Sequence, residues 1–487
     1  MSTICAISTP SGMGGVAVVR ISGPDAISAC DRIFLPHNKD HTLGSRPSHT
    51  LTFGKIVYPA TGEPLDEVVA SVYRAPHSFT GEDVVEISCH GSSYIQHELL
   101  HLLTETCGIR LAQPGEFTRR AFSNGRMDLS QAEAVADLIS SQNAAAHRLA
   151  FSQMKGSISA KLDGLHDQLL RLSSLLELEL DFGEEDVEFA DRKQLLDIAC
   201  QIDDEVVRLS DTFRTGQAIR NGIPVAIIGE TNAGKSTLLN HLLGDERAIV
   251  SDVHGTTRDV IEDTILLDGQ LIRFIDTAGI RDTDDKVEHI GITRTYQRLQ
   301  RAQIVLWIVD GTRLGEENQA EACARDANLV YNHFEPYISN QKVLVVVNKI
   351  DLVSPALLKH YLPIFQGMLS RAIQIGRHAA FPLEYVAISA KKDIGLDELR
   401  RKIAEAAHLP QYAEGDVVLT NQRHYEALLE AHAGLRQVID GISERRSSEL
   451  IAVELHLVID ALNSVLGRSI TSQDTLNNIF KHFCIGK

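Results

Sequence analysis

The sequence has no Cys-x-x-C pair; its seven cysteines, Cys5, Cys30, Cys89, Cys107, Cys200, Cys323 and Cys484, are odd in number and scattered. That argues against a disulfide framework or a cysteine-rich zinc site and points to a reducing, cytoplasmic setting. No basic residue precedes Arg20, and the longest apolar runs, such as Ile304 to Val309, fall far short of the ~20 residues a membrane span needs. Neither a signal peptide nor a membrane anchor is expected. A basic excess is lacking too: 47 Lys and Arg against 65 Asp and Glu give a net charge of −18, which would repel a polyanion if spread evenly. Contact with nucleic acid therefore needs a local basic patch or a partner.

What is present is a globular composition, 44% hydrophobic and 23% charged, in a chain of 487 residues, long enough for several domains. Up to about Asn124, short β-rich runs (Val16 to Ile21, Leu51 to Val57, Val68 to Tyr73, Val84 to Ser88) alternate with Gly and Pro turns, with one helix near Ser93 to Cys107. Beyond Gly125 the period changes. Leu162, Leu165, Leu169, Leu172 and Leu176 step by three and four, the spacing of one helix face, and Leu455, Val458, Leu462 and Val465 repeat it before a helix stop at Gly467. Between these helical stretches, apolar runs end at Gly229, Asp276, Asp310, Asn348 and Ser389, separated by helix-length segments, as in a parallel α/β sheet. The expected fold is multidomain: an α+β domain over 1–123 and an all-α domain over 124–217 and 411–487, split by an inserted α/β domain over 218–410.

The chemistry sits in the insert. Gly229-Glu-Thr-Asn-Ala-Gly234-Lys235-Ser236 fits G-x-x-x-x-G-K-[ST] between a strand and a helix, so backbone N–H groups can hold phosphates. Asn232, Ala233, Gly234, Lys235, Ser236 and Thr237 are the expected contacts, with Lys235 reaching the outer phosphates and Ser236 ligating Mg²⁺. Asp276-Thr277-Ala278-Gly279 supplies a carboxylate to the Mg²⁺ shell and an N–H to the γ-phosphate. Asn348-Lys349-Ile350-Asp351 selects guanine, because a carboxylate accepts from its ring N–H and amine together, and Ser389-Ala390-Lys391 closes the base pocket. Between the first two motifs, Gly255-Thr256-Thr257-Arg258-Asp259 offers Thr257 as the switch hydroxyl and second Mg²⁺ ligand, and Ser251, Asp252, Val253 and His254 are counted with Gly255, Thr256 and Thr257 among the expected GTP contacts. Ile280 stands where many GTPases carry a water-orienting glutamine, so hydrolysis needs another group.

End to end, the chain resembles the MnmE, or TrmE, family of tRNA-modification GTPases. The resemblance is carried by Gly-Gly-Val-Ala-Val-Val-Arg-Ile-Ser-Gly (14–23), Ser-Phe-Thr-Gly-Glu-Asp (78–83), Pro-Gly-Glu-Phe (114–117) and Cys-Ile-Gly-Lys (484–487). It implies a folate-binding N-terminal domain that forms a homodimer, a split helical domain and an inserted GTPase. It also implies work with an FAD-dependent MnmG-type partner, in a heterotetramer, to add an aminomethyl or carboxymethylaminomethyl group to the wobble uridine of certain tRNAs. By the same resemblance, K⁺ is held by Asn232, Ser251, Val253 and Thr256, and Glu288 orients the attacking water; read alone, Glu288 is a solvated acidic residue. A one-carbon folate such as 5-formyl-tetrahydrofolate is assigned to Arg20, Glu86, Arg126 and Lys487, and Cys484 is either a reactive thiol or a packed cysteine. The alternative is a GTP-switched RNA-binding factor of ribosome assembly, against which the lack of a basic appended module counts.

Two further patterns read as structural. His97-Glu98-Leu99-Leu100-His101 fits the H-E-x-x-H zinc pattern, yet its leucines with Leu102 and Leu103 describe a packed helix. Gly12-Met-Gly14-Gly-Val-Ala17 fits G-x-G-x-x-A but opens a β run, so a dinucleotide cradle is not formed.

Overall fold

The structure, a computed structural model, describes residues 2–38, 42–181, 192–230, 232–244, 263–275, 299–315, 319–334, 341–376, 383–410, 416–469, 476, 479–481, 483 and 486. They form two compact units, one of Met1–Ser140, Ala150–Arg208 and Arg423–Lys487, the other of Ser141–Leu149 and Leu209–Gln422.

The first unit contains a seven-stranded sheet of β1 (Ile4–Ile7), β2 (Gly14–Ser22), β3 (Phe34–Pro36), β4 (Thr50–Val57), β5 (Pro64–Tyr73), β6 (Val84–Gly91) and β7 (Arg110–Leu111), in the order β3-β4-β5-β6-β2-β1-β7. Every pairing is antiparallel except β1 with β7. Alternation sets the buried face: Ala17, Val19 and Ile21, Val68, Ala70 and Val72, and Val85, Ile87 and Cys89 point into one core. The helix Ser93–His101, continued by a π turn over Leu102–Thr106, packs on that core through Leu99, Leu102 and Leu103. Glu98 of the H-E-x-x-H pattern accepts a hydrogen bond from the Tyr58 hydroxyl at 3.1 Å.

The leucines expected along one helix face are all buried on the helix Ser157–Asp181, as are Leu455, Val458, Leu462 and Val465 on Ser448–Leu466. Those two helices pack together, which buries both seams at once. Gly467 ends the second helix at φ 79°, a left-handed turn that glycine adopts without a Cβ penalty. The same unit joins residues from either side of the insert: Arg423 grips Glu133 at 3.0 and 2.9 Å, and His424 Nε2 lies 2.7 Å from the same carboxylate. Burial would raise the Glu133 carboxyl, but His424 and Arg423 hold it at about 2.

The second unit is built on six strands, β8 (Ile223–Gly229), β9 (Asp263–Leu267), β10 (Gln270–Phe274), β11 (Ile304–Asp310), β12 (Lys342–Asn348) and β13 (Glu384–Ala387), in the order β13-β12-β11-β8-β10-β9. The sheet is parallel as expected except at its edge, where β9 and β10 form an antiparallel hairpin turned by Asp268 and Gly269 at φ 48° and 75°. Near-continuous apolar strands such as Val343 to Val347 are buried on both faces by the helices Lys235–Gly244, Gln319–Phe334, Pro355–Gly376 and Leu396–Ala406. Where the chain enters and leaves this unit, the segments are bonded to each other: the Leu419 N–H donates to Thr212 Oγ1 at 3.0 Å, and Gln217 Nε2 donates to the Thr420 carbonyl at 2.8 Å.

Candidate functional site

Parallel strands deliver their carboxyl ends to one edge of the sheet, which is where ligands settle in open α/β folds. Gly229, Asp310 and Asn348 close β8, β11 and β12, and Ser389 follows β13. The loop after β8 turns through Asn232 at φ 62° and Gly234 at φ 98°, and Lys235 then starts a helix of ten residues. Helix onset directly after the loop sets a helix N-terminus, the end that favours an anion, beyond β8. Lys235 Nζ donates to the carbonyls of Gly229 and Glu230 at 2.9 and 2.7 Å. Burial lowers its pKa below the usual lysine value, with Glu230 pulling the other way, so an arriving phosphate meets a poorly compensated ammonium.

Asn348 joins this loop to the next. Its side chain, 2% exposed, donates to the Ala233 carbonyl at 2.9 Å and accepts from the Ala390 N–H at 3.0 Å. Gly234 permits that approach, since a Cβ there would stand 2.2 Å from Asn348 Nδ2. Ser389 Oγ donates to Asp351 Oδ1 at 2.6 Å, fixing the carboxylate expected to read guanine. Lys349, at φ 65°, extends to Asp310 Oδ2 at 2.7 Å. The sequence reading thus has its phosphate-loop, Asn-Lys-x-Asp and Ser-Ala-Lys residues gathered at one sheet edge, with Lys391 and Thr237 exposed there. Asp310 had shown itself only as a strand end; nothing in its spacing announced an ion pair.

The Ser236 hydroxyl, half-buried in the first helical turn, is a hard oxygen donor of the kind Mg²⁺ takes, and Asn232 is exposed with an amide oxygen suited to K⁺. The other expected residues, Ser251, Asp252, Val253, His254, Gly255, Thr256, Thr257, Asp276, Thr277, Ala278, Gly279 and Glu288, lie outside the described residues, as do Cys484 and Lys487.

In the first unit, Arg20 and Glu86 face each other across β2 and β6, with Arg20 Nε donating to Glu86 Oε1 at 2.8 Å. The guanidinium lies 5.3 and 5.7 Å from the ring centres of Phe79 and Phe117. An aromatic wall beside a paired cation and carboxylate suits a flat heterocycle with adjacent N–H donors. Arg126 is exposed and lies beside Gly81, so the 78–83 segment borders both arginines. The Gly486 carbonyl accepts from Ser8 Oγ at 3.0 Å, one residue beyond β1. Sequence reading missed the frame beneath: Arg120 donates to Glu82 at 2.9 Å and to Glu116 at 3.0 Å, tying the 78–83 and 114–117 motifs together. Burial would raise the Glu116 carboxyl, yet bonds from Arg110, the Gln113 N–H and Arg120 hold it at about 2.

Comparison with known proteins covers both units. A family model described as GTP-binding protein TrmE N-terminus matches residues 3–126, and one described as MnmE helical domain matches 129–484. The tRNA modification GTPase MnmE of Parabacteroides distasonis is 49% identical over 491 residues, all of both chains. Proteins of the same name from Bacteroides fragilis and Bacteroides thetaiotaomicron are each 48% identical, over 100% of this chain and 99% of theirs.

Proposed function

The chain belongs to the MnmE family of tRNA modification GTPases, and from that premise we propose that it is a K⁺-dependent GTP hydrolase acting on the wobble uridine of certain tRNAs with an FAD-dependent MnmG-type partner. That it is a GTPase of tRNA modification follows from full-length kinship at 49% identity together with a phosphate loop and a guanine-reading loop on one sheet edge. The observation that carries the reading is Asn348, whose amide bridges Ala233 and Ala390 and so joins the phosphate-holding and base-holding loops.

In this reading the backbone of Asn232 to Ser236 and the Lys235 ammonium hold the phosphates, and Asp351, oriented by Ser389, accepts from the guanine ring N–H and amine. Ser236 and Thr257 would hold Mg²⁺, and Asn232, Ser251, Val253 and Thr256 K⁺; the cations supply charge compensation on the phosphates. With Ile280 unable to orient water, Glu288 takes that role.

Arg20, Glu86, Arg126 and Lys487 receive the one-carbon folate, with Glu86 accepting from the pterin and the basic residues meeting the glutamate tail. Leu35, Leu51 and Phe53, exposed on one face of β3 and β4, support a homodimer through this sheet. Among the described residues no helix is long and apolar enough to cross a membrane. Ribosome assembly loses its ground, because the two family models span the flanks where an RNA-binding module would sit.

The test is mass spectrometry of nucleosides in tRNA from a strain lacking the gene, with and without the wild-type copy restored. Loss of the wobble-uridine modification is expected. Normal modification in the deletion strain would overturn the proposal.

A further inference from the structure

The loop expected to read guanine is fastened at three points, and the third involves a residue with no assigned role. Asn348 fastens it to the phosphate loop and to Ala390, and Asp351 fastens it to Ser389. Between them stands Lys349, whose φ of 65° is left-handed, a conformation that residues with a Cβ rarely adopt. Something must hold it there. Its ammonium lies 2.7 Å from Asp310 Oδ2, and the side chains are only 29% and 26% exposed. The other oxygen, Asp310 Oδ1, accepts from the Thr312 N–H and Oγ1 at 3.0 and 2.8 Å, so the carboxylate cannot swing away. Burial would raise the Asp310 carboxyl, but Lys349 and Thr312 hold it below the usual carboxylate range, as expected of an ionised partner. Asp310 also lines a small cleft together with Glu230 of the phosphate loop.

We propose that Asp310 is a positioning residue for guanine-nucleotide binding, acting through Lys349 to hold the 348–351 loop in the geometry that presents Asp351 to the base. This rests on the nucleotide-site reading above and adds to it a residue at the end of β11, outside the nucleotide motifs. The competing account is local: Asp310 merely shapes the turn into Thr312. The two differ in one group, because an amide at 310 can still accept from Thr312 but carries no charge for Lys349.

The experiment measures the dissociation constant of a fluorescent GDP analogue for the full-length wild type, Asp310→Asn, Asp310→Glu, Lys349→Met and the double variant Asp310→Asn/Lys349→Met, each with a thermal melt. Asp310→Asn should bind GDP about tenfold more weakly. Its kcat/KM for GTP should fall mainly through KM. Asp310→Glu, which keeps the charge, should recover part of the loss. In the double variant Asp310→Asn should add no further loss, since its effect passes through Lys349. If Lys349→Met weakens binding and Asp310→Asn does not, Asp310 has no positioning role while the base-pocket reading stands. Full additivity in the double variant returns Asp310 to the turn-shaping account. GDP affinity untouched by Lys349→Met removes the base-pocket reading itself, and the role of Asp310 with it.

Discussion

Replacing Gly234 by alanine puts a methyl group against Asn348, where the proposed phosphate-holding and base-holding loops meet. At φ 98° a residue with a Cβ is strained by about 1–2 kcal/mol. The new carbon would lie 2.2 Å from Asn348 Nδ2, so the buried amide must move. Moving it breaks its bonds to Ala233 and Ala390, worth about 1–1.5 kcal/mol each. The total is a loss of about 3–5 kcal/mol from the second unit, large against ordinary domain stability. The assay is provided by the sequence: its single tryptophan, Trp307, is buried on β11, so tryptophan fluorescence in a urea titration follows this unit alone. Asn348→Ala removes the same two bonds without strain and should cost about 2–3 kcal/mol. Because the bonds can be lost only once, the double variant should be hardly worse than Gly234→Ala. A cost for Gly234→Ala below about 1 kcal/mol, or a double variant equal to the sum of the singles, would refute the reasoning.

Asp351→Asn keeps an oxygen for Ser389 but replaces an acceptor with a donor toward the base, so GTP should weaken and xanthosine triphosphate gain in competition binding; an undiminished preference for GTP would remove Asp351 from the pocket. Glu288→Ala should leave GTP affinity nearly intact and lower steady-state phosphate release about 10²-fold, with the wild type faster in KCl than in NaCl. Equal rates in the two salts would dispose of the K⁺ mechanism, and a fully active variant would make Glu288 a surface residue. Glu116, held at about 2 against an ordinary 4.5, binds protons less readily folded than unfolded. Its contribution, about 3 kcal/mol, is present above pH 4.5 and fades as pH falls toward 2. Circular dichroism unfolding at pH 6, 4 and 3 should show this loss, and a Glu116→Gln chain with the same acid sensitivity would contradict it.

Legibility in the sequence followed the range of the interactions. Strand and helix positions came through because period two and the three-four step are local signals, and β2, β4, β5 and β6 contain the runs that announced them. The phosphate-loop and Asn-Lys-x-Asp motifs could be proposed from sequence because the residues they call for are consecutive. The antiparallel edge of β9 and β10 was not foreseen, since a parallel rhythm says nothing about how a sheet ends. Pairs joining distant residues were likewise hidden: Arg120 with Glu82, Arg423 with Glu133, and Lys349 with Asp310 each meet through the fold. A charged residue displays its charge in the sequence but not its partner.

The bonds of Thr212 to Leu419 and of Gln217 to Thr420 make the inserted unit a cassette. A segment whose two ends are stitched together closes its own loop, so the host chain need span only the short gap between adjacent points, and loop-closure entropy barely registers its size. Such a piece can be gained, exchanged or duplicated in evolution without stretching the helices that receive it. For the same reason, a break made in a surface loop inside the cassette would leave its two attachment points held together, whereas cutting the stitches would free them.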